Sequence, residues 1–247
     1  MQKKKFSTTS TRRAPARPAP STGSRSQATR ERILDAAEQL FAERGYHGVS
    51  IRDVTGDAEV DVALVSYHFG SKQGLLEAVF MRRAKDLNDE RLALLDALLA
   101  SSVRRPPRLE AVIDAFTRPL LDRSTRGSAG WKSYFALVAE VNNSPEFGGV
   151  LMTRYFDPVV HRFIEAIRRA LPQCDDRDMY WAYHFLSGAL TLTFAETGRI
   201  DKLSGGACRS SDLDSVHERL IPYCAAGFRA LCAPKRQRLP RAGKVRT

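Results

Sequence analysis

A chain of 247 residues with 43% hydrophobic residues can bury a full-sized core. Its longest apolar stretch, Phe185 to Ala195, is interrupted by Ser, Gly and Thr and falls far short of the roughly 18 residues that a membrane span needs. The net charge of +11 excludes little by itself, because eight basic residues and no acid lie in residues 1–30 and six more basic residues lie in 235–246, leaving residues 31–234 at about −3.

The folded body is therefore not basic, and any nucleic-acid function has to rest on local motifs. Both ends, residues 1–25 and 234–247, are rich in Ser, Thr, Pro and Ala and carry the excess charge. They lack the apolar surface that offsets ordering entropy and are expected to be disordered tails, serving solubility or nonspecific attraction to phosphates. No apolar segment follows Arg12-Arg13, which argues against export. Cys174, Cys208, Cys224 and Cys232 are spaced by 34, 16 and 8 residues. That is neither a metal-site pattern nor a dense disulfide framework, so they are expected to be reduced thiols in a cytosol.

Helical periodicity begins near Thr29, with Ile33, Ala37, Leu40 and Phe41 on one face and Gly45 as a stop. Ser50 with Asp53 three residues later forms a capping pattern for a short helix to about Ala58. A tight turn at Glu59-Val60 leads to Asp61, a cap for a second short helix from Val62 to about Phe69. Gly70-Ser71 then breaks the chain before a long helix from Lys72 to about Leu99, closed by Pro106-Pro107. Further helices are marked by Leu109 to Leu120, Trp131 to Val138 and Val159 to Leu171, with Pro119 and Pro158 as expected kinks or interruptions. Two more cover about Asp176 to Thr197 and Asp212 to Cys232. No alternating strand pattern and no repeat is evident. The fold class is all-α, with about nine helices.

Two short helices joined by a turn and followed by an amphipathic helix form the layout that lets one helix enter a major groove. The run from Glu31 to Phe80 strongly resembles the DNA-binding domain of the TetR family of bacterial regulators. Its most specific part is Ser66-Tyr67-His68-Phe69-Gly70-Ser71-Lys72 with Leu75-Leu76, supported by Ala36-Ala37, Leu40-Phe41 and Gly45-Tyr46. The resemblance implies a helix-turn-helix domain over 26–80 and a helical effector-binding and dimerisation domain over 81–233.

Residues at the front of a recognition helix reach base edges, while flanking donors grip phosphates. Val62, Ala63, Leu64 and Ser66 are the candidate base-facing set, the first three suited to thymine methyls. Arg52 matches a family position that enters the major groove and is the candidate for a bidentate guanine contact. Thr29, Arg30, Ser50, Tyr67, His68 and Lys72 are the expected phosphate clamps. Phe41, Val54, Val60, Val65 and Phe69 are assigned to the core. Two positions depart from the family pattern: Glu59 stands where a Gly is usual, and Thr55-Gly56 replaces Ala plus a helix former. A left-handed Glu59 and a helical Gly56 each cost about 1 kcal/mol.

Beyond residue 85 the resemblance rests mainly on Tyr183 to Leu203, including Phe194 to Ile200, which looks like the C-terminal dimer region of such regulators. The apolar row Leu213, Val216, Leu220, Cys224 and Phe228 is suited to pairing with a second copy as a four-helix bundle, or to an intramolecular core. A symmetric homodimer would present two recognition helices to palindromic double-stranded operator DNA. An aromatic-rich middle nominates Trp131, Phe135, Phe163, Tyr183 and His184 as lining for a ligand cavity. The resemblance implies a small, largely apolar effector, in a cytoplasmic, nucleoid-associated repressor, and the two-domain layout suggests that the effector shifts the long helix after Lys72 and so changes operator affinity.

Two rival readings stand beside this one. A ligand-independent dimeric DNA-binding protein would use the C-terminal half for pairing alone. An enzyme acting on a small molecule would need chemistry that no motif supplies, since there is no G-x-S-x-G elbow, P-loop, G-x-G-x-x-G or H-E-x-x-H run. No cofactor or metal and no membrane partner is expected.

Overall fold

The computed structural model describes residues 22–102 and 104–234. Among them are eleven helices and no strand. The expectations for the two tails fall largely outside the described residues, on 1–21 and 235–247.

Helix α1 runs Thr22–Arg44. Ile33, Leu34, Ala37, Leu40 and Phe41 are buried on one face, and Gly45 ends the helix at φ 70°. It starts seven residues before Thr29, inside the segment expected to be a tail, because residues 22–28 contain no large apolar side chain for periodicity to register. Helices α2 (Ile51–Asp57), α3 (Val62–Phe69) and α4 (Lys72–Ser101) follow the expected spans closely. Each is capped by the side chain that precedes it, Ser50, Asp61 and Ser71.

Helices α5 (Leu109–Arg126) and α6 (Ala129–Asn142) are continuous. Pro119 sits inside α5 without ending it, and Pro158 occupies the first turn of α8 (Asp157–Ala170), where its missing N–H costs nothing. The sequence reading does not include α7 (Gly148–Tyr155). Gly148-Gly149 reads as a break by propensity. A Cβ on Gly148 would sit 3.0 Å from the Val141 carbonyl oxygen and 3.1 Å from that of Asn142, so the close return of the chain onto the end of α6 needs glycine there. The helix expected over 176–197 ends earlier, as α9 (Asp176–Phe194), and after Glu196 and Gly198, both at positive φ, a further short helix follows that the sequence reading does not include, α10 (Arg199–Leu203). Helix α11 spans Leu213–Leu231.

The helices enclose two apolar cores. One packs α1 to α4, through Ile33, Phe41, Val54, Val65, Leu76 and Phe80. The other packs α4, α5, α6, α8, α9 and α11, through Leu95, Phe116, Phe135, Phe163, Leu186 and Phe228. Helix α6 serves both: Leu137 and Val141 belong to the first, and Trp131, Tyr134 and Phe135 to the second. Phe147 and Leu151, at the start of and within α7, also complete the first core. The N-terminal helices are thus closed by C-terminal ones, and α4 runs unbroken through both cores.

Two expectations are corrected here. Leu213, Leu220, Cys224 and Phe228 are buried within the chain, with Val216 packed against them, so this row is intramolecular core and not a free pairing face. Among the apolar residues left outside are Trp181, Phe185 and Leu192 on α9 and Tyr223 on α11, with exposures of 49%, 58%, 70% and 75%. Second, Cys174 and Cys232 form a disulfide across 58 residues of sequence, with Cα atoms 4.4 Å apart, tying the α8–α9 turn to the end of α11. Linear spacing carries no signal for a pair that packing brings together. Cys208 is free and exposed, and Cys224 free and buried.

Candidate DNA interface and the core behind it

Helix α3 is presented by two caps and a turn. The Ser50 amide donates to Asp53 Oδ2 at 2.7 Å while the Asp53 amide donates to Ser50 Oγ at 3.2 Å, a reciprocal capping box that sets the start of α2. The hydrogen bonds from Ser50 hold the Asp53 carboxyl below its ordinary range. Glu59 closes the turn at φ 52°, the left-handed conformation expected of it. The Ala63 amide then donates to Asp61 Oδ1 at 2.8 Å, opening α3. At its far end the Gly74 amide donates to Ser71 Oγ at 3.0 Å, opening α4.

Val65 is the inward side chain of α3, 1% exposed. Val62, Ala63, Ser66 and Tyr67 face outward, Tyr67 at 77% exposure. Leu64 is only partly exposed and packs on the N-terminal core, so of the four expected base-facing residues it is the one turned inward. Arg52 projects from the first turn of α2, exposed, with no ion pair to it among the described residues.

The expected clamps are arranged around that face. The Tyr67 and His68 rings meet edge to face at 4.9 Å. Lys72 places its ammonium 4.1 Å from the centre of the Tyr46 ring, and partial burial lowers its pKa against the opposing pull of Asp53. Arg30 lies 5.4 Å from the centre of the Phe69 ring, and Thr29 beside it is half-buried. The Ser50 hydroxyl donates to Asp53 Oδ2 at 2.6 Å and is therefore engaged by the cap. Two residues beside this face have no site role in the sequence reading. Tyr46 holds Lys72, and Arg44, exposed in the last turn of α1, lies close enough to lower the Asp53 pKa. Their signal is the basic and aromatic pair flanking Gly45, which reads locally as a helix stop.

Behind the interface, α4 is bound to α1 by Arg83, whose guanidinium meets the buried Glu38 through Nε at 2.6 Å and Nη2 at 2.7 Å. The same guanidinium carbon lies 4.9 Å from the centre of the Trp131 ring, and that of Arg123 lies 5.0 Å from the same centre. Gly130 permits this approach: a Cβ there would sit 2.1 Å from Arg83 Nη2. The neighbouring Tyr134 hydroxyl donates to the Phe80 carbonyl oxygen at 3.4 Å, and burial raises its pKa.

The five expected ligand residues do not form one site. Trp131 and Phe135 stack at 5.7 Å, and Phe135 stacks on Phe194 at 4.7 Å. Phe163 lies against Phe116 at 4.9 Å, with Tyr183 at 6.2 Å from the same ring. His184 is on the opposite, exposed side of α9, edge to face with Trp181. Two surface clefts, of 270 Å³ beside Glu59 and 200 Å³ beside Cys232, lie away from these aromatics.

At the centre of the second core is a residue the aromatic inventory passed over. Arg91 of α4 is 2% exposed, and its guanidinium carbon sits 3.8 Å from the centre of the Phe116 ring and 5.7 Å from that of Phe163. Its Nη1 donates to Asn88 Oδ1 at 3.2 Å, while Nε has no partner. No carboxylate among the described residues pairs with it. Desolvation pulls its pKa down to about 10, which leaves it charged at neutral pH. Two aromatic contacts offset up to about 2 kcal/mol each, against a desolvation cost of several kcal/mol for a buried ion.

Residues 33–79 match the family model described as bacterial regulatory proteins of the tetR family, and residues 114–227 match the tetracyclin repressor-like C-terminal domain. The chain belongs to the TetR family. It is a DNA-binding transcriptional regulator, in a family of regulators and not of enzymes. Among this TetR chain's curated relatives is the HTH-type transcriptional regulator BetI of Escherichia coli O127:H6, 28% identical over 177 residues, covering 70% of this chain and 86% of BetI. A tetR-family transcription regulator from Shewanella sp. PV-4 shares the fold at a TM-score of 0.54 and 18% identity, over 83% of this chain and 95% of that one. A transcriptional regulator from Saccharomonospora viridis, solved in complex with choline, has a TM-score of 0.53 and 22% identity, over 80% and 95%. No helix among the regulator's described residues is long and apolar enough to cross a membrane.

Proposed function

We propose that this regulator acts in the cytoplasm as a homodimeric repressor that holds a palindromic operator and releases it when a small molecule binds the C-terminal domain. The observation that carries the reading is the outward face of α3, with Val62, Ala63, Ser66 and Tyr67 exposed together beside Arg52, which has no ion pair among the described residues. Apolar side chains there suit thymine methyls and Arg52 suits a guanine edge. Arg30, Tyr67, His68 and Lys72 flank them as phosphate contacts.

Pairing is supported by the outer faces of α9 and α11, where Trp181, Phe185, Leu192 and Tyr223 remain uncovered. Large apolar side chains grouped on two neighbouring helices favour a second copy of the same surface. Coupling to an effector is supported by α4, which runs unbroken from Lys72 at the DNA face to Leu95 in the C-terminal core. The choline complex of the Saccharomonospora viridis protein supports a small-molecule effector for this fold.

Footprinting on DNA flanking the coding region, at stated salt, tests the reading. A protected inverted repeat whose protection Arg52→Ala weakens is expected. Protection that is uniform along the DNA and unchanged by Arg52→Ala overturns it.

A further inference from the structure

From the environment of Arg91 we infer that the effector is an organic monocarboxylate with an apolar body, its carboxylate bound by the Arg91 guanidinium. This rests on the proposed effector response and names the chemical class of the molecule.

Charge in the C-terminal core is out of balance at Arg91. Arginines that reach into this half of the molecule are elsewhere matched: Arg83 by Glu38, Arg123 by Glu90 and Arg162 by Asp96. Arg91 alone among these is enclosed, and among the described residues it is held by the Asn88 amide oxygen and two ring faces. Its Nε donor is buried and unsatisfied. Buried cations are paired or hydrogen-bonded as a rule, and a guanidinium offers a fork that matches a carboxylate bidentately. One unpaired guanidinium calls for one negative charge, so a single carboxylate is favoured over a phosphate dianion or dicarboxylate.

The surroundings specify the rest of the molecule. Phe116 and Phe163 flank the guanidinium, with Tyr134 and Tyr183 next to it. Tyr183, partly exposed on α9, is the member of this group that reaches the surface. Apolar walls around one polar anchor bind an amphipathic ligand and disfavour a cation such as choline, which would meet Arg91 with like charge.

The position also supplies a route to DNA. Arg91 and Lys72 are on one helix, 19 residues apart, or about 28 Å along its axis. Asn88, which shares Arg91, donates through Nδ2 to the Tyr155 carbonyl oxygen at 2.8 Å. A carboxylate that takes Arg91 from Asn88 therefore acts on the contact between α4 and the end of α7.

The test uses the full chain with octanoate and benzoate, their neutral amides, and choline. Binding is read by calorimetry without DNA, and operator release separately by fluorescence anisotropy. Expected is saturable binding of at least one carboxylate, at least tenfold weaker for its amide and absent for choline. Arg91→Met, which keeps the volume and removes the charge, is expected to fold as the wild type does by circular dichroism and to lose at least tenfold in carboxylate affinity. Arg91→Lys is expected to retain the preference for the acid over the amide. Neither carboxylate binding, equal binding of acid and amide, or undiminished binding to Arg91→Met overturns the inference, as does unfolding of both variants, which would give Arg91 to the fold. Carboxylate binding that depends on Arg91 but brings no operator release leaves the carboxylate site at Arg91 standing and defeats the effector-controlled repressor. Release by choline with no carboxylate bound does the reverse.

Discussion

Arg83 and Glu38 form a two-bond ion pair at 2.6 and 2.7 Å, with Glu38 almost wholly buried, and so fasten α4 to α1 directly beneath the Trp131 ring. Removing one partner leaves the other charged and desolvated. Glu38→Ala is expected to destabilise the fold by about 3–5 kcal/mol. Urea unfolding checks this, and a loss below 1 kcal/mol would show the pair to be dispensable.

The left-handed Glu59 and the helical Gly56 are two local costs in one short motif. Glu59→Gly is expected to raise stability by about 1 kcal/mol by removing the steric penalty at φ 52°. Gly56→Ala is expected to add a similar amount, since a Cβ there meets nothing within 4 Å. Midpoints of thermal unfolding should rise for both; because the Glu59 amide donates to the Gly56 carbonyl oxygen at 3.3 Å, the double variant measures how far the two sites couple.

On operator DNA, Arg52→Ala and Lys72→Ala should fail differently. Loss of a bidentate base contact weakens specific binding by about 1–3 kcal/mol and relaxes preference at one base pair per half-site. Loss of a phosphate contact weakens all sequences alike and reduces the salt slope by about 1 per subunit. Anisotropy titrations across a salt series on operator and scrambled duplexes separate the two. Identical behaviour of both variants would remove Arg52 from the base-reading set.

Phe185→Glu combined with Leu192→Glu is expected to yield a monomer by light scattering, because both side chains are exposed in the single chain. Operator affinity should then fall by about 10²–10⁴ as the second half-site is lost. Leu220→Ala, in the core, should cost about 2–5 kcal/mol in stability and leave the oligomeric state unchanged. A double variant that remains dimeric moves the interface elsewhere.

The Cys174–Cys232 bond closes a 58-residue separation, for which chain entropy predicts a contribution of about 4 kcal/mol. Intact mass of the protein purified without reductant should be about 2 Da below the fully reduced value. Reduction, or Cys174→Ser, should lower the unfolding midpoint. An unchanged midpoint on reduction would show that the bond adds nothing to the fold.

Local chemistry determined much of this protein from sequence alone. Ser50, Asp61 and Ser71 announce α2, α3 and α4 because a cap acts within three residues of itself, and the spacing of Ile33, Ala37 and Phe41 announces the buried face of α1 because helical period is local too. The outward face of α3 was legible for the same reason, apart from Leu64, whose partial burial depends on what packs against it. Tertiary structure alone decided the rest. Whether the apolar row of α11 or the row of α9 stays exposed depends on which helix lies alongside. That Cys174 meets Cys232, that α6 closes the core of the N-terminal helices, and that Arg91 ends up without a carboxylate are facts about residues far apart in the chain. Burial and pairing are properties of a neighbourhood in space, and no periodicity along the chain encodes which neighbours arrive.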